Sequence, residues 1–194
     1  MKSLYLWVLH WAETPYGTPA LFGLSFAEAS FFPIPPDPLQ IALSVSKPKR
    51  SFYYALVNGL GSVAGAALGW AIGYFLWESS GDLIIRCIPG LTEGRYDQAA
   101  GYFEEYGFLA ILIAAFTPIP FKVFTISAGA LQTPLWVLLL ASVIGRFARF
   151  FAVGTCIYIF GPSIKELLDK YFELVAVLFC VLLVGGFVVI AYFF

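Results

Sequence analysis

Charge is what this sequence has least of. Only 12% of its 194 residues are Asp, Glu, Lys or Arg, about half of what a soluble domain carries, which excludes water as the main solvent of the fold. A formal net charge of −1 and the lack of a basic stripe exclude nucleic acid as a partner. Histidine occurs once, at His10, and a lone histidine in an aromatic amino-terminal stretch reads as a polar anchor. No Ser/His pair, His-centred cluster or acidic metal motif of a lipid phosphatase or transferase is present, so an enzyme is not expected. Cysteine is scarce and odd in number: Cys87, Cys156 and Cys180 have neither metal-ligand spacing nor partners for a disulfide framework. No metal and no cofactor are expected.

What is abundant is apolar chain. The hydrophobic fraction is 60% and the mean hydropathy +0.85. Long apolar runs cover 20–46, 52–77, 108–131, 135–161 and 174–194, the pattern of a polytopic membrane protein. At this length a single membrane domain is expected. The stretch "SLYLWVLHWAE" after Lys2 is short, aromatic and followed by no small-x-small cleavage site, and reads as an interfacial helix rather than a signal peptide.

Two of the apolar runs are broken at their middle. "FFPIPPDPLQ" at 31–40 puts prolines and an acid where hydrocarbon is expected. Proline removes a backbone donor and breaks helices, and an aspartate in hydrocarbon is costly. "PIPPD" at 33–37 returns as "PIPFK" at 118–122, with Pro33 matching Pro118, Pro35 matching Pro120 and Asp37 matching Lys122. An apolar arm precedes each copy, an arm rich in small residues follows, and a long span comes next. This is an internal repeat.

Each arm is about a dozen residues, short of the ~20 that a crossing takes. Irregular backbone at membrane depth must be covered by protein or line a cavity. Each copy is therefore expected to form a re-entrant hairpin turning at Pro33, Pro35 and Pro36, or at Pro118 and Pro120. A hairpin plus one span makes an odd number of crossings, so the two repeats have opposite orientation. The expected fold is an all-α integral membrane protein of two inverted repeats, about 18–77 and 107–161. Each is a re-entrant helical hairpin plus a transmembrane helix, with an extra transmembrane helix at 174–194. The segment 78–106 reads as an amphipathic linker, with Tyr96, Ala99, Ala100, Phe103 and Tyr106 along one face.

Lys2, Lys47, Lys49, Arg50, Lys165 and Lys170 collect on one side; Arg86 and Arg95 lie among acids on the other. The positive-inside rule puts the first side, with the amino terminus, in the cytoplasm and the carboxyl terminus outside. "KPKR" at 47–50 faces headgroups, for which a topology signal is the simpler account.

Gly61, Gly65, Gly69 and Gly73 form an every-fourth-residue stripe in the first span, a groove that lets another helix approach closely. Arg146 and Arg149, three apart in "GRFARFF", share a helix face too deep for easy snorkelling. They either pair with Glu28 and Asp37 as structural ion pairs or bind an anion. Glu28 and Asp37 give −2 against +3 from Lys122, Arg146 and Arg149. A phosphate-bearing headgroup would balance the surplus, arginine being suited to bidentate phosphate contacts. The two acids would couple protons or gate the site.

These residues resemble the DedA family, also called the VTT or SNARE-associated group, and most closely its YqaA-like branch. "EASFFPIPPD" at 28–37 resembles the family's acid, Pro-x-Pro-Gly and second acid. "GAALGWAIG" at 65–73 resembles its glycine-rich span, and "FEEYGFLAILIAAFTPIPFK" at 103–122 its second hairpin. Pro36 stands in place of the family's glycine, Ala66 and Ala115 stand where an acid and an arginine are common, and Lys122 lies one residue past the position of a second arginine. The resemblance implies paired re-entrant hairpins, residence in the bacterial inner membrane and movement of lipids between leaflets, either undecaprenyl phosphate or phospholipids. The expected partners are membrane lipids and protons, with homo-oligomerisation left open. A proton-coupled transporter of a small ion or cationic drug, and a membrane-assembly factor without transport, are the rival readings.

Overall fold

The computed structural model of the chain describes residues 16–32, 34–87, 92–117 and 119–160. The expected amino-terminal interfacial helix, the carboxy-terminal helix at 174–194, His10, Pro33 and Pro118 lie outside these. Among the described residues the structure is all helical and contains no strand.

The described residues form, in order, six α-helices: α1 (Gly17–Ser30), α2 (Asp37–Ser46), α3 (Ser51–Cys87), α4 (Glu93–Phe116), α5 (Phe121–Ala130) and α6 (Leu135–Phe160), with a 3-10 turn at Pro48–Arg50. The prolines set the boundaries. Pro36 caps α2 and Pro120 caps α5, and Pro38 follows within the first turn of α2, where a missing N–H costs nothing. With 14, 10 and 10 residues, α1, α2 and α5 are about 15–21 Å long, short of a bilayer core of about 30 Å. Three helical segments among the described residues are long and apolar enough to cross: Pro48–Gly81, Tyr96–Phe116 and Leu135–Phe160.

The second of these departs from the sequence expectation. The presumed linker 78–106 is not a separate element. Its first part passes through a kink in α3 at Ser80, whose backbone is non-helical, and runs on as helix to Cys87. Its second part runs without a break into the arm before Pro118, giving a 24-residue α4. Nothing between 93 and 117 stops a helix, since no proline falls there. The expected apolar face is in part turned inward: Tyr96, Ala99, Ala100 and Phe103 are half-buried, while Tyr106 is exposed.

The glycine stripe organises the interior. A Cβ on Gly61 would meet the Phe22 carbonyl oxygen at 2.6 Å, and one on Gly65 would strike the Phe26 carbonyl. A Cβ on Gly69 would meet the Thr125 hydroxyl and, at 3.1 Å, the Ala29 carbonyl oxygen; one on Gly73 would strike the Ile126 carbonyl. So α1 covers the stripe from Gly61 to Gly69, and α5 covers it from Gly69 to Gly73. The two short helices lie end to end along one face of α3 and meet beside Gly69. Across the junction, Thr125 Oγ1 is 2.9 Å from the Ala29 carbonyl oxygen.

The opposite side of α3 packs on α6 in antiparallel sense, with Phe147 beside Gly59 and Gly154 beside Ser51. At the far end Trp77 stacks on Tyr96 with centroids 4.1 Å apart, and the Tyr96 hydroxyl donates to the Ala130 carbonyl at 2.9 Å. The core is small-residue and tight, built on Ala29, Ala66, Ala114, Ala115, Ala128 and Ala141 with Ile111, Phe121 and Leu138. Large side chains face outward instead: Trp136 is 66% exposed, Phe75 63% and Ile159 66%. Such an exterior suits lipid as the surrounding medium.

Candidate functional site: paired charges where the short helices meet

Four of the charged residues singled out in the sequence come together where α1, α2 and α6 converge. Arg149 Nη2 lies 2.9 Å from both oxygens of Asp37, and its Nη1 donates to the Thr117 carbonyl at 2.8 Å. Thr117 sits in the break before α5 and Asp37 opens α2, so this guanidinium ties together both proline breaks. Arg146 reaches Glu28 at the end of α1, with Nη2 3.3 Å from Oε1 and 3.1 Å from Oε2.

The two pairs are not equivalent. Only the Oε1 contact of Arg146 has hydrogen-bond geometry, and both Glu28 Oε2 and Arg146 Nε are buried without a hydrogen-bond partner. Arg146 is 1% exposed, and its guanidinium lies over the Phe121 ring, 4.1 Å from the centroid. That contact is worth most in a dry site, and it replaces part of the solvation that burial removes. Asp37 and Arg149 retain some exposure, 21% and 17% of their side chains.

Lys122 follows Phe121 in the first turn of α5. It is half-buried and, among the described residues, has no carboxylate within ion-pair distance. Its carbonyl oxygen lies 3.0 Å from Thr125 Oγ1, the same hydroxyl that reaches Ala29 beside Glu28. Among the described residues, the two arginines are thus paired cations, and Lys122, one residue past the Phe121 ring that covers Arg146, is an unpaired one. Gly61, Gly65, Gly69 and Gly73 take no part in it beyond bringing the backbones together. Of the turn prolines, Pro35, Pro36 and Pro120 shape the breaks from which Asp37 and Lys122 emerge. Among the described residues no group of three or more His, Cys, Asp or Glu could hold a metal, and Cys156 is exposed.

Sequence reasoning missed a buried polar set next to these charges. Gln40 Nε2 donates to the Phe150 carbonyl at 2.9 Å. Asn58 Nδ2 donates to Gln40 Oε1 at 2.6 Å, and Ser25 Oγ donates to the Asn58 carbonyl at 2.7 Å. Gln40, Asn58 and Ser25 are fully buried. A signal existed: polar residues at helical spacing inside apolar runs, with Gln40 three residues after Asp37 and Ser25 three before Glu28.

The VTT domain model matches residues 31–159, which takes in both proline breaks and all the paired arginines. An uncharacterized protein of Haemophilus influenzae is 32% identical over 173 residues, covering 89% of this chain and 88% of its own length. An uncharacterized protein of Histophilus somni is 33% identical over 151 residues, 78% of each chain. One of Methanocaldococcus jannaschii is 26% identical over 134 residues, covering 69% of this chain and 79% of its own. No solved structure matches. With a family model spanning most of the chain, a relative similar over nearly its whole length, and three apolar helices long enough to cross a bilayer, the chain belongs to the VTT-domain, or DedA, family of membrane proteins.

Proposed function

We propose that the protein moves a phosphate-bearing lipid between membrane leaflets, with the headgroup passing the charge cluster where the two proline breaks meet and the tails remaining in the bilayer. The observation that carries this reading is the uncompensated positive charge. Among the described residues, Glu28 and Asp37 are matched by Arg146 and Arg149, which leaves Lys122 without a counterion and Arg146 Nε without an acceptor. Ionisable groups at membrane depth are functional by default, and a phosphate would supply the counterion that Lys122 lacks.

The end-to-end placement of α1 and α5 supports two re-entrant hairpins of opposite orientation, with α1, α2 and α5 each reaching about half the membrane depth and the longer α4 extending beyond the tip-to-surface distance. In that arrangement only the cluster at the tips separates the two aqueous sides. Protonation of Asp37 or Glu28 weakens its hold on an arginine, which frees a planar donor fork for phosphate. That supplies a means of coupling the headgroup's passage to protons.

The test uses purified protein in vesicles containing a headgroup-labelled polyprenyl phosphate, an anionic phospholipid, a zwitterionic phospholipid or an uncharged diacylglycerol, with and without a pH gradient. A rate above that of empty vesicles for at least one phosphate-bearing lipid, with no acceleration of diacylglycerol, which crosses a bilayer unaided, is the expected result. Rates equal to those of empty vesicles for every lipid would overturn the proposal.

A further inference from the structure

Each of three helices carries a polar stripe through otherwise apolar sequence. On α2 it is Asp37, Gln40 and Ser44; on α3 it is Ser51, Asn58 and Ser62; on α1 it is Ser25 and Glu28. Gln40, Ser44, Ser51, Asn58, Ser62 and Ser25 are all fully buried. The stripes are joined where Ser25 donates to the Asn58 carbonyl, Asn58 to Gln40, and Gln40 to the Phe150 carbonyl beside Arg149. At one end of this set lie Glu28 and Asp37. At the other, Ser44 ends within one turn of the α2 terminus and Ser51 Oγ donates to the Pro48 carbonyl at 2.7 Å, next to the basic turn of Lys47, Lys49 and Arg50.

The set has more hydrogen-bonding capacity than the protein uses. Ser44 Oγ, Asn58 Oδ1 and Ser62 Oγ are buried with no partner, as is Glu28 Oε2. Buried polar groups in proteins are paired with protein or with ordered water, and the three orphans on α2 and α3 recur along a line rather than at one spot. From Asp37 to Ser44 this line runs about 10 Å along α2.

We propose that Gln40, Ser44, Asn58 and Ser62 line an internal water-holding track that connects Glu28 and Asp37 with the membrane face bearing Lys47, Lys49 and Arg50. Its function as a proton path rests on the transport reading above; its hydration does not. A proton passed along the track binds a carboxylate oxygen, cancels that negative charge and leaves one arginine uncompensated. Its release to the same waters restores the pair. The opposite end of the molecule offers no counterpart among the described residues: the α5 positions facing α3 are Thr125, Ile126 and Gly129, and the only side-chain hydroxyl there, Thr125, is taken up by carbonyls.

The experiment is thiol accessibility in the full chain, with Cys87, Cys156 and Cys180 changed to Ser. Ser44→Cys and Ser62→Cys are near-isosteric replacements, and Ala42→Cys and Ala128→Cys serve as buried apolar controls. A small water-soluble methanethiosulfonate added from the side of Lys47, Lys49 and Arg50 is expected to modify the first two at least tenfold faster than the controls. Asn58→Leu is expected to slow modification at residue 62 and spare residue 44. Equal rates at all four positions would overturn the track, whatever the vesicles show for lipid movement. Modification at 44 and 62 beside vesicles that move no lipid would overturn the transport reading alone. A pH gradient that accelerates lipid movement equally in wild type and Asn58→Leu would overturn the proton role.

Discussion

Arg149 and Lys122 sit beside the proline breaks under opposite conditions. Arg149 donates to both oxygens of Asp37 and to Thr117, so truncation strands a carboxylate and a carbonyl together. Arg149→Ala is expected to destabilise the protein in detergent by about 3 kcal/mol, the usual cost of breaking a partly buried pair from one side. The Asp37→Ala, Arg149→Ala double variant should recover part of that loss, because neither charge is then left alone. Lys122 has no such partner, so Lys122→Gln should leave the melting temperature unchanged while slowing lipid movement at least tenfold. Thermal unfolding measured beside transport rate separates the two residues. A wild-type rate for Lys122→Gln would remove it from the anion site.

For the elements, the glycines decide how close two helices come. Gly73 abuts the Ile126 carbonyl and Gly129 abuts the Trp70 carbonyl, so α3 and α5 touch backbone to backbone through interlocking notches. Gly73→Val is expected to destabilise by about 1–3 kcal/mol or more, since the obstacle is backbone that cannot rotate away. Gly23 makes a control on α1: a Cβ there meets nothing within 4 Å, and Gly23→Ala should be neutral or stabilising by up to about 1 kcal/mol. Melting curves of the two variants check both.

Much of this was legible in the sequence because its causes are local. A proline run ends the helix before it and is tolerated only in the first turn of the next one, and glycine every fourth residue marks one face of any helix. The extent of α4 was not legible from hydropathy. Asp97, Glu104 and Glu105 make 93–106 polar enough to suggest a separate surface helix, yet helix continuation depends on the absence of a breaker, not on polarity. Which acid pairs with which arginine was also out of reach, because Glu28 with Arg146 and Asp37 with Arg149 are separated by more than 110 residues and depend on how α6 crosses the proline breaks. The Gln40–Asn58 bond was hidden for the same reason: each residue alone is one polar side chain in an apolar run.

At the scale of the molecule, the order of helices repeats: two segments flanking a proline break, then a long span, α1–α2–α3 followed by α4–α5–α6. The second copy is not a replica, since its first helix is long enough to cross while α1 is not. The packing nonetheless fixes which ends lie together. The start of α1 and the end of α2 lie toward the start of α3; the start of α4 and the end of α5 meet near its far end, through Trp77, Tyr96 and Ala130. Single thiols in the Cys-free protein turn this into a measurement. Thr18→Cys and Ser46→Cys are expected to react with an impermeant reagent from one side of the membrane, and Asp97→Cys and Gln132→Cys from the other. Reaction of Asp97→Cys and Gln132→Cys from opposite sides would mean that α4 and α5 together cross the bilayer, and the proposed second hairpin would instead be a spanning pair. The hairpin tips and the charge cluster would in that case no longer share one depth, and a headgroup could not be handed between them.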